Sequence, residues 1–175
     1  MSVTELKFGG FGGQGIILSA TIVGRAAAIF DDKYATLTQS FGPEARGSAC
    51  SASVIVSDEP VTYPYVTRPN ILTVMSQEAW NKFSLDLADD ATVIYEKELV
   101  SLNGATYASH GIDATRIAEK LGRKVVQNIV MIGFFAAKTD VVTAQAMRRS
   151  VESSVPPGTE ALNLKAFDAG FESGR

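Results

Sequence analysis

A glycine-rich run near the start of the chain has the spacing of a phosphate-binding turn. Gly10, Gly12 and Gly15 fit the pattern G-x-G-x-x-G, and the run lies between a short apolar segment that predicts a strand and a longer one that predicts a helix. Glycine permits a tight turn and lets an anion approach backbone N–H groups at the positive end of a helix. The run therefore predicts an anion-binding turn, with a ligand-free strand-to-helix turn as the alternative.

The neighbouring residues separate this turn from two familiar nucleotide-binding loops. A nicotinamide site needs an acidic residue at the end of the second strand, where this sequence has Gln39 and Ser40. A nucleoside-triphosphate loop needs Lys followed by Ser or Thr after its last glycine, where this sequence has Ile16 and Ile17. A stand-alone NAD-dependent oxidoreductase is thus disfavoured, though it stays as an alternative.

A second loop, residues 40–47, combines a proline turn with an arginine set among small residues. Arg46 has the planar fork that suits phosphate or carboxylate, and the loop is expected beside the glycine turn at the carboxyl edge of the sheet. A surface pair of Arg46 with Glu44, or an interface loop, is the alternative. Asn128 is predicted as a helix cap whose amide faces the same edge.

The chain offers few groups for catalysis or metal binding. It has one cysteine, Cys50, which is predicted to be a small buried residue, and one histidine, His110. An iron–sulfur cluster takes about four thiolates, and a Cys/His zinc site needs more ligands than these two. No nucleophile–base pair or carboxylate pair stands out. We therefore predict no catalytic residue and no metal site in this chain.

The elements that would position these residues alternate between strands and helices. Strands are predicted at 6–8, 34–38, 49–56, 71–75, 92–95 and 105–108, and helices after Gly15 and at 78–87, 113–121, 129–138, 143–153 and 159–172, with Thr143 as an N-cap. No linker separates two units, so residues 1–175 are expected to form one domain. The order predicts a three-layer α/β/α sandwich around a Rossmann-like, largely parallel sheet.

The composition of the chain argues against two classes of binding partner, nucleic acids and membranes. The formal net charge is −3 and no basic stripe is present, which argues against nucleic-acid binding. The N-terminal residues lack a basic segment followed by an apolar one, and no 18 apolar residues follow one another. We therefore expect a cytoplasmic protein with no membrane contact.

Four runs together resemble the gamma subunit of 2-oxoacid:ferredoxin oxidoreductases. They are GFGGQG at 10–15, SFGPEARG at 40–47, SDEP at 57–60 and NLKAFDAG at 163–170. Ser48 departs from the second glycine that often follows R-G in the family. The segment 77–83 resembles the 2-oxoglutarate branch more than the pyruvate branch.

The resemblance implies a multi-subunit enzyme that oxidatively decarboxylates a 2-oxoacid with coenzyme A, giving an acyl-CoA, carbon dioxide and reduced ferredoxin. Thiamine diphosphate, Mg²⁺ and iron–sulfur clusters are implied on partner alpha, beta and, in some members, delta subunits, so this chain is expected to show little or no activity alone. Its implied task is to help bind coenzyme A. The residues expected to do so are Gly10, Gly12, Gly13, Gln14, Gly15, Ser40, Arg46 and Asn128.

Several alternatives stay open at this level. The substrate of a related enzyme is pyruvate, a branched-chain 2-oxoacid or indolepyruvate, and the sequence does not separate these cleanly from 2-oxoglutarate. A non-catalytic nucleotide-binding or assembly module is a further reading. Subunit stoichiometry, and whether the isolated chain forms a homodimer, are also left open.

Overall fold

The computed structural model describes residues 2–40 and 49–175, which build a mixed sheet flanked by helices. The sheet has the strand order β2-β3-β1-β4-β5-β6. Its strands are β1 (Val3–Phe11), β2 (Tyr34–Ser40), β3 (Ala49–Ser57), β4 (Ile71–Val74), β5 (Thr92–Glu96) and β6 (Ala108–Ile112). Strands β1, β4, β5 and β6 are parallel, and β3 pairs antiparallel with both β1 and β2.

One face of the sheet carries most of the helices. They are α1 (Ile16–Arg25), which continues as a π-helical turn (Ala26–Phe30), α3 (Ala114–Lys120), α4 (Gln127–Lys138), α5 (Ala144–Ser154) and α6 (Glu160–Gly174). Alternate strand residues such as Leu6, Phe8 and Val54 point into this layer and are fully or almost fully buried. The large apolar cluster on this face holds the ends of the strands in register.

The opposite face carries a thinner layer. It contains α2 (Gln77–Phe83), a 3-10 turn (Ser84–Asp86) and the loops after β5, which pack on Leu72, Val74 and Val93. Lys7 lies on this face with its Nζ 4.6 Å from the centre of the Phe83 ring, and burial lowers the pKa of its amine. The two layers and the sheet confirm the predicted α/β/α sandwich.

Close helix packing explains two glycines on the crowded face. Helices α4 and α6 cross where Gly133 and Gly170 face each other's backbones. A Cβ at Gly170 would collide with the carbonyl oxygen of Val130 and lie 2.8 Å from its carbonyl carbon. This approach sets α6 against α4, and thereby the wall of the site that both helices help to form.

Two strands, the first and the last, differ from the sequence prediction by more than two residues at an end. The last strand, predicted at 105–108, is β6 at Ala108–Ile112. Its residues lack strand propensity, but Gly111 makes room for the Tyr95 ring, which lies 2.8 Å from where a Cβ would stand. The first strand also runs further than residues 6–8, because β3 pairs with it as far as Phe11.

No helix within residues 2–40 and 49–175 is both long and apolar enough to cross a bilayer.

Candidate functional site

The carboxyl ends of the four parallel strands meet at one edge of the sheet. The glycine turn follows β1, Ser76 follows β4, Glu96 ends β5 and Asp113 follows β6. Ligands of open α/β sheets bind at this edge. The topology therefore places the predicted anion-binding turn where a ligand is expected.

Gln14 fixes the glycine turn rather than pointing into solvent. Its Oε1 accepts a hydrogen bond from the N–H of Phe11 at 2.7 Å, and its Nε2 donates to the carbonyl oxygen of Met75 at 2.9 Å. Gly10 lies within β1, and a Cβ there would stand 2.5 Å from Gln14 Oε1. Both ends of the carboxamide are thus occupied, and Gly10 shapes the turn by making room for them.

Asn128 acts on the turn from the other side. It was predicted as a helix cap, and this is wrong, because Val126 is the N-cap and Asn128 lies inside α4, 3% exposed. Its Nδ2 donates to the carbonyl oxygen of Gly15 at 3.3 Å. Gly15 has φ +75°, and a Cβ there would collide with this carboxamide, standing 2.6 Å from its Cγ. Glycine is required here on both counts.

The backbone N–H groups of the turn are the donors left for a ligand. Among the described residues, no acceptor is found for the N–H of Gly12, Gly13 or Gly15, whereas that of Gln14 donates to the Phe11 carbonyl. A Cβ at Gly12 or Gly13 would meet nothing within 4 Å, so the turn is open on that side. It also leads directly into the N-terminus of α1, whose partial positive charge favours an anion.

A cavity of about 400 Å³ opens beside the turn. It lies between the glycine turn, the start of α4 and the turn that joins α5 to α6. Its lining is mainly apolar; the residues are Gly13, Gly15, Leu18, Arg123, Val125, Val126, Asn128, Val155, Pro156, Gly158, Thr159, Leu162 and Asn163. Hydrogen-bond donors at the entrance, here the N–H groups of the glycine turn, together with apolar walls are typical of small-molecule binding sites.

Ser40 ends β2 at the same edge as the glycine turn. It pairs with Ser51 of β3, which in turn pairs with Gly9 of β1. Two strand spacings place its backbone roughly 10 Å from that of Gly9. The structure thus brings Ser40 to the edge but not into the cavity, and Arg46 lies outside the described residues.

A cluster of carboxylates at the ends of β5 and β6 has partners of its own. The side chains of Glu96, Glu98 and Asp113 lie within 4.8 Å of one another. Lys97 pairs with Asp113 at 3.1 Å, Arg116 pairs with Glu98, and fully buried Glu96 accepts a hydrogen bond from the N–H of Glu98. These contacts account for the cluster as a structural network.

Arg123 and Asn163 were not anticipated as site residues. Arg123 lies between α3 and α4 in an unremarkable polar turn, and Asn163 occupies an amphipathic helix, so neither carries a local motif. Asn163 lies in the NLKAFDAG run, one of the four runs that carry the family resemblance, and that run was the only feature of the sequence that could have pointed to it. Tertiary packing brings both residues to the cavity beside the glycine turn: Asn163 lies on α6, which packs against α4, and Arg123 lies in the connection that leads into α4.

Comparison with known proteins places the chain in context. A family model described as "Pyruvate ferredoxin/flavodoxin oxidoreductase" matches residues 5–173. The 2-oxoglutarate synthase subunit KorC of Methanocaldococcus jannaschii is 44% identical, over 96% of this chain and 92% of the relative. The pyruvate synthase subunit PorC of Methanothermobacter marburgensis is 34% identical, over 96% of each chain.

A solved structure shares the whole fold. It is the gamma subunit of a keto/oxoacid ferredoxin oxidoreductase from Geobacter sulfurreducens, which aligns with a TM-score of 0.90 and 38% sequence identity. The alignment covers 99% of this chain and 97% of that one.

Proposed function

The chain belongs to the pyruvate ferredoxin/flavodoxin oxidoreductase family, and from this premise we propose that it is the subunit that holds coenzyme A for a 2-oxoglutarate:ferredoxin oxidoreductase. It is a gamma-type subunit of the 2-oxoacid:ferredoxin oxidoreductases. The reaction proposed for the complex converts a 2-oxoacid and coenzyme A to acyl-CoA and carbon dioxide and reduces ferredoxin. The observation that carries the proposal is the glycine turn, whose N–H groups open beside the 400 Å³ cavity.

The iron–sulfur clusters of the proposed reaction do not fit on this chain. An iron–sulfur cluster needs about four thiolates, and the sequence has only Cys50, a half-buried residue of β3 whose thiol pKa is raised by burial. We therefore place the clusters on partner alpha, beta and, where present, delta subunits, and we propose the same location for thiamine diphosphate and Mg²⁺, as the family resemblance implies. The gamma chain then acts by positioning, and is inactive alone.

The proposed ligand contacts follow the available donors. The diphosphate of coenzyme A receives hydrogen bonds from the N–H groups of Gly12, Gly13 and Gly15. Gln14 and Asn128, whose amide groups already bind the backbone, hold the turn in shape. Ser40 and Arg46 are also proposed to contact the ligand. The reason is that Ser40 and Ala49, which flank residues 41–48, lie at the same edge of the sheet as the glycine turn.

Holding the nucleotide end of coenzyme A gives a physical advantage to the acyl transfer. The thiol must meet an acyl group in a partner subunit. Fixing the far end of the ligand near that site replaces a bimolecular encounter with one of high effective concentration. Binding energy remote from the reacting atoms is used for orientation in this way.

Identity favours 2-oxoglutarate as the substrate. The 2-oxoglutarate synthase subunit is 44% identical to this chain and the pyruvate synthase subunit 34%. The substrate itself is expected to bind to other subunits. We therefore test this part of the proposal with the assembled enzyme, not with the isolated chain.

The first experiment purifies the tagged chain with its partners from its source cells. Viologen reduction is measured with 2-oxoglutarate, pyruvate, a branched-chain 2-oxoacid and indolepyruvate, with and without coenzyme A. We expect bound iron and thiamine diphosphate, and activity that depends on coenzyme A and is greatest with 2-oxoglutarate. A lone chain without partners or activity would contradict the proposal.

A matched pair of variants tests the role of the glycine turn. Gly12 has open space around it and no positive φ, so it accepts a side chain without strain. Gly12→Asp adds a negative charge where the diphosphate is proposed to bind, and Gly12→Asn adds the same shape without the charge. We expect the KM for coenzyme A to rise about tenfold more in the Asp variant, a difference of about 1.4 kcal/mol. Equal KM values for coenzyme A in the two variants would show that the diphosphate does not bind at the glycine turn.

A further inference from the structure

One edge of the sheet ends in a strand that lacks the usual protection against further pairing. Strand β2 lies first in the sheet order and, among the described residues, pairs only with β3. Its seven residues, YATLTQS, include no charge, proline or glycine, and they pair with β3 without a bulge. Natural edge strands are usually short, charged or interrupted, because an open edge pairs with other strands. The other edge strand, β6, has only five residues and contains Gly111.

Hydrogen bonds elsewhere in the sheet show which backbone groups of β3 face β2. The carbonyl oxygens of Glu5 and Gly9 accept hydrogen bonds from the N–H groups of the residues just before and just after β4. Odd-numbered residues of β1 therefore bond to β4, and even-numbered ones bond to β3. Leu6 of β1 pairs with Val54 of β3, so the residues of β3 that bond to β1 are also even-numbered. The odd-numbered residues of β3 therefore bond to β2.

On β2 the outward-facing backbone groups belong to Ala35, Leu37 and Gln39. The odd-numbered residues of β3 pair with the even-numbered residues of β2, so the N–H and C=O groups of its odd-numbered residues point out of the sheet. No backbone hydrogen bond outside the strand ladders joins these groups to another part of residues 2–40 or 49–175. Tyr34 and Leu37 are 48% and 36% exposed, and Ile29, on the π-helical turn that packs on β2, is 57% exposed. Backbone donors and acceptors thus lie beside exposed apolar side chains, as at an interaction surface.

The spacing of these groups matches a second copy of the same strand. When two β2 strands run antiparallel with Leu37 facing Leu37, Ala35 of each copy faces Gln39 of the other. All outward-facing residues then fall into hydrogen-bonded pairs that exchange two bonds each, so about six backbone hydrogen bonds form. This register pairs the whole strand, from Tyr34 to Ser40. A shifted register would leave residues at one end of each strand unpaired.

The side chains agree with this register. On the face of the sheet that carries α2, Thr36 of one copy would face Thr38 of the other, and opposed threonines stabilise antiparallel pairs. No like charges face each other, because the strand has no charged residue. On the opposite face the two Leu37 side chains meet at the twofold axis and leave water. Both the backbone and the side chains of β2 are therefore self-complementary.

We propose that β2 is a homodimer interface, at which two copies of this chain join their sheets by antiparallel pairing centred on Leu37. β2 runs parallel to β1, because β3 is antiparallel to both. The twofold axis therefore places the two glycine turns at opposite edges of the joined sheet, where each stays open to other subunits. The pairing does not depend on what the glycine turn binds, so it stands or falls separately from the proposed function.

Cysteine cross-linking of the full chain tests the register. In Leu37→Cys the two new thiols lie in a hydrogen-bonded pair, whose Cα atoms are about 5.5 Å apart, within the range of about 4.4–6.8 Å that a disulfide spans. Gln39→Cys is the matched control, since its two copies are offset by about four residues along the strands and lie more than about 13 Å apart. The unaltered chain, which has Cys50, gives the background.

After mild oxidation, we expect Leu37→Cys to give a disulfide-linked dimer in at least about tenfold higher yield than Gln39→Cys. Equal yields from the two variants would overturn the register. An unaltered chain that sediments as a monomer would overturn the homodimer itself.

A pair of opposite charges tests the same contact without a covalent bond. Leu37→Lys and Leu37→Glu each place like charges opposite one another, so each should raise the dissociation constant of its dimer, measured by sedimentation equilibrium, by about tenfold or more. A mixture of the two should form a mixed dimer with a dissociation constant within about threefold of that of the unaltered chain. Gln39→Lys is the control of equal charge, and it should keep the dimer because it faces Ala35. Failure of the mixture to associate would contradict pairing centred on Leu37.

The assembled oxidoreductase separates a second copy from another subunit as the occupant of the edge. In the enzyme that carries Leu37→Cys, the disulfide should join two copies of this chain. A cross-link to a different subunit would overturn the proposal. So would a monomeric full chain whose Ala35, Leu37 and Gln39 amides are protected from hydrogen exchange only in the assembled enzyme.

Discussion

Replacing Gly15 with alanine tests whether the glycine turn is held in one shape by Asn128. Gly15 has φ +75°, a region that costs an L-residue about 1–2 kcal/mol. The new Cβ would also collide with the Asn128 carboxamide, and the hydrogen bond from Asn128 to Gly15 would be lost or weakened. With about 1 kcal/mol for that bond and about 1–3 kcal/mol for overpacking, we expect the free energy of unfolding to fall by about 3–6 kcal/mol.

The neighbouring glycines supply the controls for this prediction. Gly13→Ala shares the positive φ, at +90°, but its Cβ would meet nothing within 4 Å, so we expect a loss of only about 1–2 kcal/mol. Gly12→Ala has neither problem and should change the free energy of unfolding by less than about 1 kcal/mol. The assay is urea unfolding of the full chain, followed by circular dichroism.

A double-mutant cycle separates the collision from the backbone strain. In an Asn128→Ala background the carboxamide is gone and only the Cβ of residue 128 remains, 3.1 Å from the added Cβ, so Gly15→Ala should cost less than in the unaltered chain and approach the cost of Gly13→Ala. Equal losses for Gly13→Ala and Gly15→Ala in the unaltered chain would refute the reasoning. So would a cost for Gly15→Ala that is the same with and without Asn128.

Three further predictions concern the scaffold around the site. Gly170→Ala would place its Cβ against the Val130 carbonyl oxygen, so we expect the free energy of unfolding in urea to fall by more than about 3 kcal/mol. Gly24→Ala is the control: the nearest atom to its Cβ would be 3.8 Å away, so this variant should lose no stability or gain up to about 1 kcal/mol. Thr143 caps α5 because its hydroxyl accepts a hydrogen bond from the N–H of Ala146, and Thr143→Ala should lower the melting temperature by the equivalent of about 1–2 kcal/mol. Burial lowers the pKa of Lys7 below 10.5. Between the pKa in the folded chain and 10.5, the unfolded chain therefore binds more protons than the native chain. As pH increases through that window, the free energy of unfolding of the unaltered chain should rise relative to that of Lys7→Met.

Each of these has a result that would contradict it. An equal effect of the two helix glycine variants would mean that α4 and α6 can move apart at no cost. A melting temperature unchanged by Thr143→Ala would show that solvent replaces the cap. A difference between the unaltered chain and Lys7→Met that falls as pH rises would reverse the direction of the pKa shift at Lys7.

Local signals in the sequence were sufficient for much of the scaffold. Thr143 was predicted as an N-cap, and its hydroxyl does cap α5, because the capping bond is made within three residues along the chain. The glycine turn was located for a similar reason, since its tight geometry is a property of a few consecutive residues. Strand β6 was misplaced because its pairing with β5 outweighs the weak propensity of its residues.

The side chains around the turn show where sequence reasoning ends. Gln14 was expected to donate to a ligand, yet its amide bonds to Phe11 and Met75, and Met75 is 61 positions further along the chain. Asn128 was expected to cap a helix, yet it binds Gly15 from 113 positions away. Both contacts depend on tertiary packing, which no local pattern reports. The cavity itself arises in the same way, from helices that are distant in sequence.

The most direct measurement is a structure of the assembled oxidoreductase with coenzyme A bound. The account predicts the diphosphate within about 2.7–3.2 Å of the N–H nitrogens of Gly12, Gly13 or Gly15, hydrogen-bonding distances for such donors. It also predicts the acyl-accepting thiol directed toward a partner subunit. A diphosphate bound away from the glycine turn would contradict the central claim that this chain holds coenzyme A.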